Sequence, residues 1–140
     1  MECTVHWVPQ AGMAMVASTG SGHALVMDGA AEGGGRDLAP RPMETLLAGA
    51  GGCTAYDVVL ILQRGRHDVS RCTVELKAER AAVDPKVFTS LHLHYVLSGK
   101  DLPEAAVLRA VALSHEKYCS ATAMLGVSAR ITSSVEVRAG

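Results

Sequence analysis

The stretch from Leu46 to Leu62, LLAGAGGCTAYDVVLIL, constrains this chain more than any other. Pro42 just upstream suits the first turn of a helix, and Glu44 lies where the helix dipole favours a carboxylate. A helix over about 43–66 is therefore predicted, apolar on most faces and buried. Gly49, Gly51 and Gly52 each cost it about 1 kcal/mol relative to alanine. A helix carrying that cost is expected to have something pressed closely against its backbone. Asp57, an acid in this apolar run, must find a partner; Arg64, Arg66 or a second subunit are the choices considered, and its role is read as structural.

Around this helix the apolar pattern has period two. Cys3, Val5 and Trp7 share one strand face, AMVAS (14–18) and HALVM (23–27) follow after turns, and the three suggest an antiparallel meander. CTVELKAER (72–80) alternates as well, and Asp84-Pro85 turns the chain into the returning strand VFTSLHLHYVL (87–97). Pro103 opens a second amphipathic helix reaching about Tyr118, and a last strand alternates from Ala129 to Val137. The predicted order is βββ-α-ββ-α-β, an α+β class with antiparallel pairing. At 140 residues, one domain over 1–140 is expected.

Composition limits the function. There are 13 Lys+Arg against 14 Asp+Glu, with no basic stripe for nucleic acid or an anionic membrane. No apolar run is read as approaching the ~20 residues of a spanning helix, and MECTVHWVPQ lacks the layout of a signal peptide. A cytoplasmic protein is the expectation. Aromatics make up only 4%, so the core is thin and built of small residues, which suggests that a partner subunit completes it. The four cysteines, Cys3, Cys53, Cys72 and Cys119, are widely spaced with no CxxC. In a reducing compartment they are core residues or reactive thiols.

Two of them stand in distinctive settings. Cys53 follows Gly51 and Gly52, whose lack of bulk lets a small ligand approach the sulfur. Cys119 ends HEKYC, with His115 and Glu116 four and three positions earlier and so near its helix face. Cys3 and Cys72 lie on apolar strand faces and read as small hydrophobes. His92 and His94 share a strand face, but without a third ligand nearby they are read as solvated, and no metal is expected. His23 is read as a packed or hydrogen-bonded histidine.

The stretches TGSGHALVMDG (19–29), PMETLLAGAGGCTAYDVVLIL (42–62), DPKVFTSLHLHYVLSG (84–99) and LSHEKYCSATAML (113–125) resemble the OsmC/Ohr family of cysteine-dependent peroxidases, in particular its OsmC-like, YhfA-like branch. The resemblance runs over nearly the whole chain, with Cys53 and Cys119 separated by 66 positions. It implies an intertwined homodimer, sheets wrapped around long central helices, with active sites at the subunit interface. It also implies a peroxidatic Cys53 and a resolving Cys119, an organic hydroperoxide (or hydrogen peroxide) as substrate, a dithiol reductant, no cofactor, and a role in oxidative or osmotic stress.

The activating residues do not transfer. The peroxidase branches carry a glutamate ten residues before the cysteine, where this chain has Met43; Glu44 is one step off and faces the other side of the helix. No arginine precedes Arg36. Arg36 is taken as the substitute, with Arg41 next, while His115 and Glu116 are candidate replacements for the carboxylate. Two other functions fit these residues: a stress-response or small-molecule-binding module of the same fold with little peroxidase activity, and a hotdog-like thioesterase.

Overall fold

The computed structural model describes residues 1–140. Its contacts fall into two compact units, Met1–Ala48 and Gly49–Gly140.

The first unit is an antiparallel meander of β1 (Cys3–Trp7), β2 (Met15–Thr19) and β3 (Ala24–Met27), in register Cys3↔Thr19 and Met15↔Met27. The loop after β3 is organised by one buried side chain. Asp28 Oδ1 accepts the Gly29 N–H at 2.7 Å, and Oδ2 accepts those of Arg36 and Leu38 at 3.1 Å each. The Leu38 and Gly29 donors hold its carboxyl below the usual carboxylate range, burial works against them, and Arg36 adds a smaller pull. A depressed carboxyl stabilises the fold in full above its unfolded value, about 3.9, and loses that contribution as pH falls through the folded value. We expect Asp28→Ala to loosen segment 29–38 at neutral pH, read as faster amide exchange at Arg36 and Leu38. Wild type should show the same loosening only in acid below about pH 4.

Helix α1 (Pro42–Arg64) starts as its sequence suggests, with Pro42 in the first turn. Glu44 Oε2 reaches back to accept the Arg41 N–H at 2.9 Å, which is half of a capping box. By length and composition α1 could cross a bilayer, with a mean hydropathy of 1.6 over its most apolar window, contrary to the expectation that no run was long enough. Within the chain 28% of that window is buried. Ala50, Thr54, Val58 and Leu62 form a buried stripe at four-residue spacing, with Gly51 beside it. The expectation of burial on most faces holds for this stripe alone: Leu46 is 48% exposed and Tyr56 69%. Close approach to the backbone occurs at Gly51, where a Cβ would lie 2.7 Å from Leu76 Cδ1; at Gly49 and Gly52 a Cβ would point into open space beyond the helix itself.

The second unit carries β4 (Arg71–Arg80), β5 (Phe88–Gly99) and β6 (Arg130–Ala139) in the order β4-β5-β6. β4 and β5 form the expected antiparallel hairpin, with a bulge at Glu79/Arg80. β6 runs parallel to β5, from Ser90↔Arg130 to Gly99↔Ala139, which corrects the all-antiparallel expectation. The physical reason is the crossover: the segment after β5 is long enough to return the chain to the start of that strand. Leu91, Leu93, Tyr95 and Leu97 alternate along β5 on its buried face and form the centre of the core with Val107, Ala110 and Val111 of α2 (Glu104–Leu113).

The second predicted helix does not run unbroken to Tyr118. α2 stops at Leu113, a π turn occupies Ser114–Tyr118, and a short α3 (Ser120–Leu125) follows. Cys119 lies between them in extended conformation, as the residue that caps α3.

Candidate active site

Cys53 and Asp57 are one turn apart on the same face of α1. The break at the π turn brings Cys119 to them. The two Sγ atoms and a carboxylate oxygen of Asp57 all lie within 4.8 Å of one another. Cys119 is 2% exposed, while Cys53 and Asp57 are half-buried. The four cysteines are free thiols. A disulfide between Cys53 and Cys119 requires the sulfurs to close to about 2.05 Å.

Burial is the largest influence on Cys119 and pushes its thiol up. The Thr122 N–H, 3.4 Å from Sγ, works the other way, and the neighbouring Cys53 thiol raises it again. Cys119 is therefore a neutral thiol at pH 7, and its alkylation in the reduced protein should reach half its maximal rate above the ordinary thiol value of about 8.5. A midpoint at or below that value, read from peptide masses after iodoacetamide pulses, would contradict this environment.

Behind the cluster lies a chain of hydrogen bonds through the core. Ser114 Oγ donates to Asp57 Oδ2 at 3.1 Å, Thr54 Oγ1 lies 2.8 Å from Ser114 Oγ and 2.7 Å from Tyr95 Oη, and Tyr95 Oη is 3.0 Å from His115 Nε2. Thr54, Ser114 and Tyr95 are fully buried. Each hydroxyl has one proton, and a carboxylate only accepts. With Asp57 ionised, Ser114 spends its proton on Asp57, Thr54 must donate to Ser114, Tyr95 to Thr54, and His115 Nε2–H to Tyr95. The donors thus all run toward Asp57. Burial pushes the Tyr95 phenol up to about 12, against the Thr54 hydrogen bond that lowers it, and burial pushes His115 down. A neutral His115 protonated on Nε2 and an un-ionised Tyr95 fit this polarity.

Asp57 also lines a pocket of about 240 Å³ with Leu60, Ile61, Arg64, Leu113 and Tyr118. The walls are mostly apolar, and the carboxylate and the Arg64 guanidinium are the charged groups on them.

The other residues singled out in the sequence are placed as follows. Glu44 caps α1. Arg36 gives its backbone N–H to Asp28 and adds positive charge beside that carboxylate. His115 bonds to Tyr95, and Glu116 is exposed on a separate pocket that His115 also lines. His92 bonds Thr132 and Ser134, and His94 bonds Ser134 with Glu136 beside it, so both rings are tied to β6. His23 bonds Ser21. The partner of Asp57 is Ser114, where an arginine or a second subunit was expected. Thr54, Tyr95 and Ser114 were missed; the available signal was a threonine on the buried stripe of α1 and a tyrosine on the apolar face of β5.

Residues 33–134 match the family model described as OsmC-like protein. The chain is 48% identical over 137 residues to Protein YhfA of Escherichia coli K12, covering 98% of each. A hypothetical protein from Aquifex aeolicus has a solved structure that superposes with a TM-score of 0.84 at 31% identity, covering 99% of this chain and 96% of that one. An organic hydroperoxide resistance protein OsmC from Legionella pneumophila superposes at 0.72 with 19% identity, over 98% of both chains, and shares the fold. The two three-stranded sheets with their helices agree with these matches. This chain is a member of the OsmC-like family.

Proposed function

We propose that the chain is a thiol peroxidase that reduces an organic hydroperoxide through Cys53 and Cys119. The observation that carries this reading is the meeting of the two sulfurs and a carboxylate within 4.8 Å beside a largely apolar pocket. Cys53 gives up its proton and attacks the distal peroxide oxygen. The O–O bond breaks, the sulfur becomes a sulfenic acid, and the departing alkoxide takes a proton to leave as alcohol. Cys119 then attacks the sulfenyl sulfur, its proton leaves with the hydroxyl as water, and the resulting disulfide is reduced by a dithiol. The Leu60, Ile61 and Leu113 walls suit an alkyl tail better than hydrogen peroxide. Reduced protein with excess dithiol should consume cumene hydroperoxide faster than hydrogen peroxide; consumption of neither would end the reading.

Two further parts belong to the proposal. The exposed Leu46 and Tyr56 of the central helix, with Val5 and Trp7 of β1, support a homodimer, as is usual among OsmC/Ohr proteins. Sedimentation should give twice the 14.6 kDa chain mass. A reducing, cytoplasmic setting, which would supply the dithiol, is part of the proposal. A binding module with weak peroxidase activity is the second reading, and it is favoured by a specific feature: Asp57, next to both sulfurs, opposes thiolate charge where a cation would favour it. The OsmC-like family match lends no support to the hotdog-like thioesterase.

A further inference from the structure

Cys53, Asp57 and Cys119 have a use that peroxide chemistry does not exhaust. Two thiols and a carboxylate converge, and Asp57 is in neither of the chain's salt bridges, His94–Glu136 and Arg138–Glu136, although Arg64 lines the adjoining pocket. Three groups that are neutral or anionic, half-buried to buried, lack a positive charge among them. We propose that in the reduced protein these three side chains bind one thiophilic divalent cation, Zn²⁺, with a fourth position left open.

Three features support the assignment. The donor set is soft, and two thiolates with one carboxylate suit Zn²⁺ rather than Mg²⁺ or Ca²⁺. The spacing is close to what is required: tetrahedral bonds of about 2.0–2.3 Å put donors roughly 3.5–3.8 Å apart, a contraction of at most about 1.3 Å from the 4.8 Å limit seen here. The outer support is already built. Ser114 donates to Asp57 Oδ2, and Thr54 and Tyr95 fix the Ser114 hydroxyl from behind, which is how ligating carboxylates are commonly oriented. Ser114 occupies one acceptor position of Asp57 and leaves the others for a ligand. The 240 Å³ pocket beside Asp57 gives the open position room for water.

Binding is not a redox step. Zn²⁺ replaces two thiol protons, which pass to solvent, and the carboxylate is the third ligand. A Cys53–Cys119 disulfide would withdraw both sulfurs, so the oxidised protein keeps one donor and should not bind.

The test uses the full-length chain carrying Cys3→Ser, so that the exposed Cys3 thiol does not contribute. Fully reduced protein is titrated with Cd²⁺, reading the ultraviolet thiolate-to-metal charge-transfer band, and with Zn²⁺ against a chromophoric chelator. One equivalent per chain with two protons released is expected, with no uptake after oxidation. Asp57→Asn should weaken binding at least tenfold, and Ser114→Ala by about 10–100-fold. Comparing reduced with oxidised protein needs no core variant, so a folding defect in Ser114→Ala would not decide the matter. Absence of the band in reduced protein, or equal affinity in Asp57→Asn, would overturn the site. Neither result depends on peroxide turnover, so the peroxidase reading stands or falls separately.

Discussion

Cys53→Ser is expected to consume no peroxide at all, while Cys119→Ser should complete one reduction and then stall. Serine has neither the nucleophilicity of a thiolate nor a stable counterpart of the sulfenic acid, so losing Cys53 removes the step that breaks the O–O bond. Losing Cys119 leaves that step in place and removes its exit. Without a buried thiol within 4.8 Å, the sulfenic acid persists and a second peroxide carries Cys53 to the sulfinic state. Stoichiometric consumption followed by a mass gain on the Cys53 peptide checks this. Equal steady-state turnover in Cys53→Ser and wild type would contradict it.

The second large effect concerns Tyr95, which is 0% exposed on the central strand β5. Tyr95→Ala should destabilise the protein by about 3–5 kcal/mol, the usual cost of emptying a buried aromatic site. That is a large share of the ~5–15 kcal/mol that holds a typical domain together. Tyr95→Phe keeps the ring and removes the hydroxyl, so Thr54 and His115 each lose a partner. Its cost should be about 1–3 kcal/mol. Denaturant unfolding of both variants separates ring packing from the polar chain. A Tyr95→Phe change as costly as Tyr95→Ala would mean that the hydroxyl chain dominates the core, and no cost would mean that it contributes nothing.

What could be read from the residues was whatever repeats at short range. The meander of the first unit and the β4–β5 hairpin were legible because their alternation and turns are local, and α1 because Pro42, Glu44 and the apolar run after them are contiguous. The π turn was not: Ser114–Tyr118 holds no glycine or proline that would break a helix, and nothing in HEKYC announces the backbone turn that moves Cys119 from a helix end to a cap. The parallel pairing of β6 was hidden for a related reason, since a strand's own sequence does not name the neighbour beside which it lies. At the site, the cysteine pair was legible through resemblance, and Asp57 through its polarity in an apolar run. Its supporting chain was not. Thr54, Tyr95 and Ser114 are separated by 41 and 60 positions, and only the fold reveals that three common polar residues share one buried line.

In the proposed mechanism Cys53 and Cys119 act as one redox unit, and one measurement addresses that directly. Fully reduced protein receives one equivalent of cumene hydroperoxide and is examined by intact mass and by peptide mapping without reductant. Rapid loss of two hydrogens with a Cys53–Cys119 cross-link is the expected result; an unchanged mass, or a cross-link through Cys3 or Cys72, would contradict it.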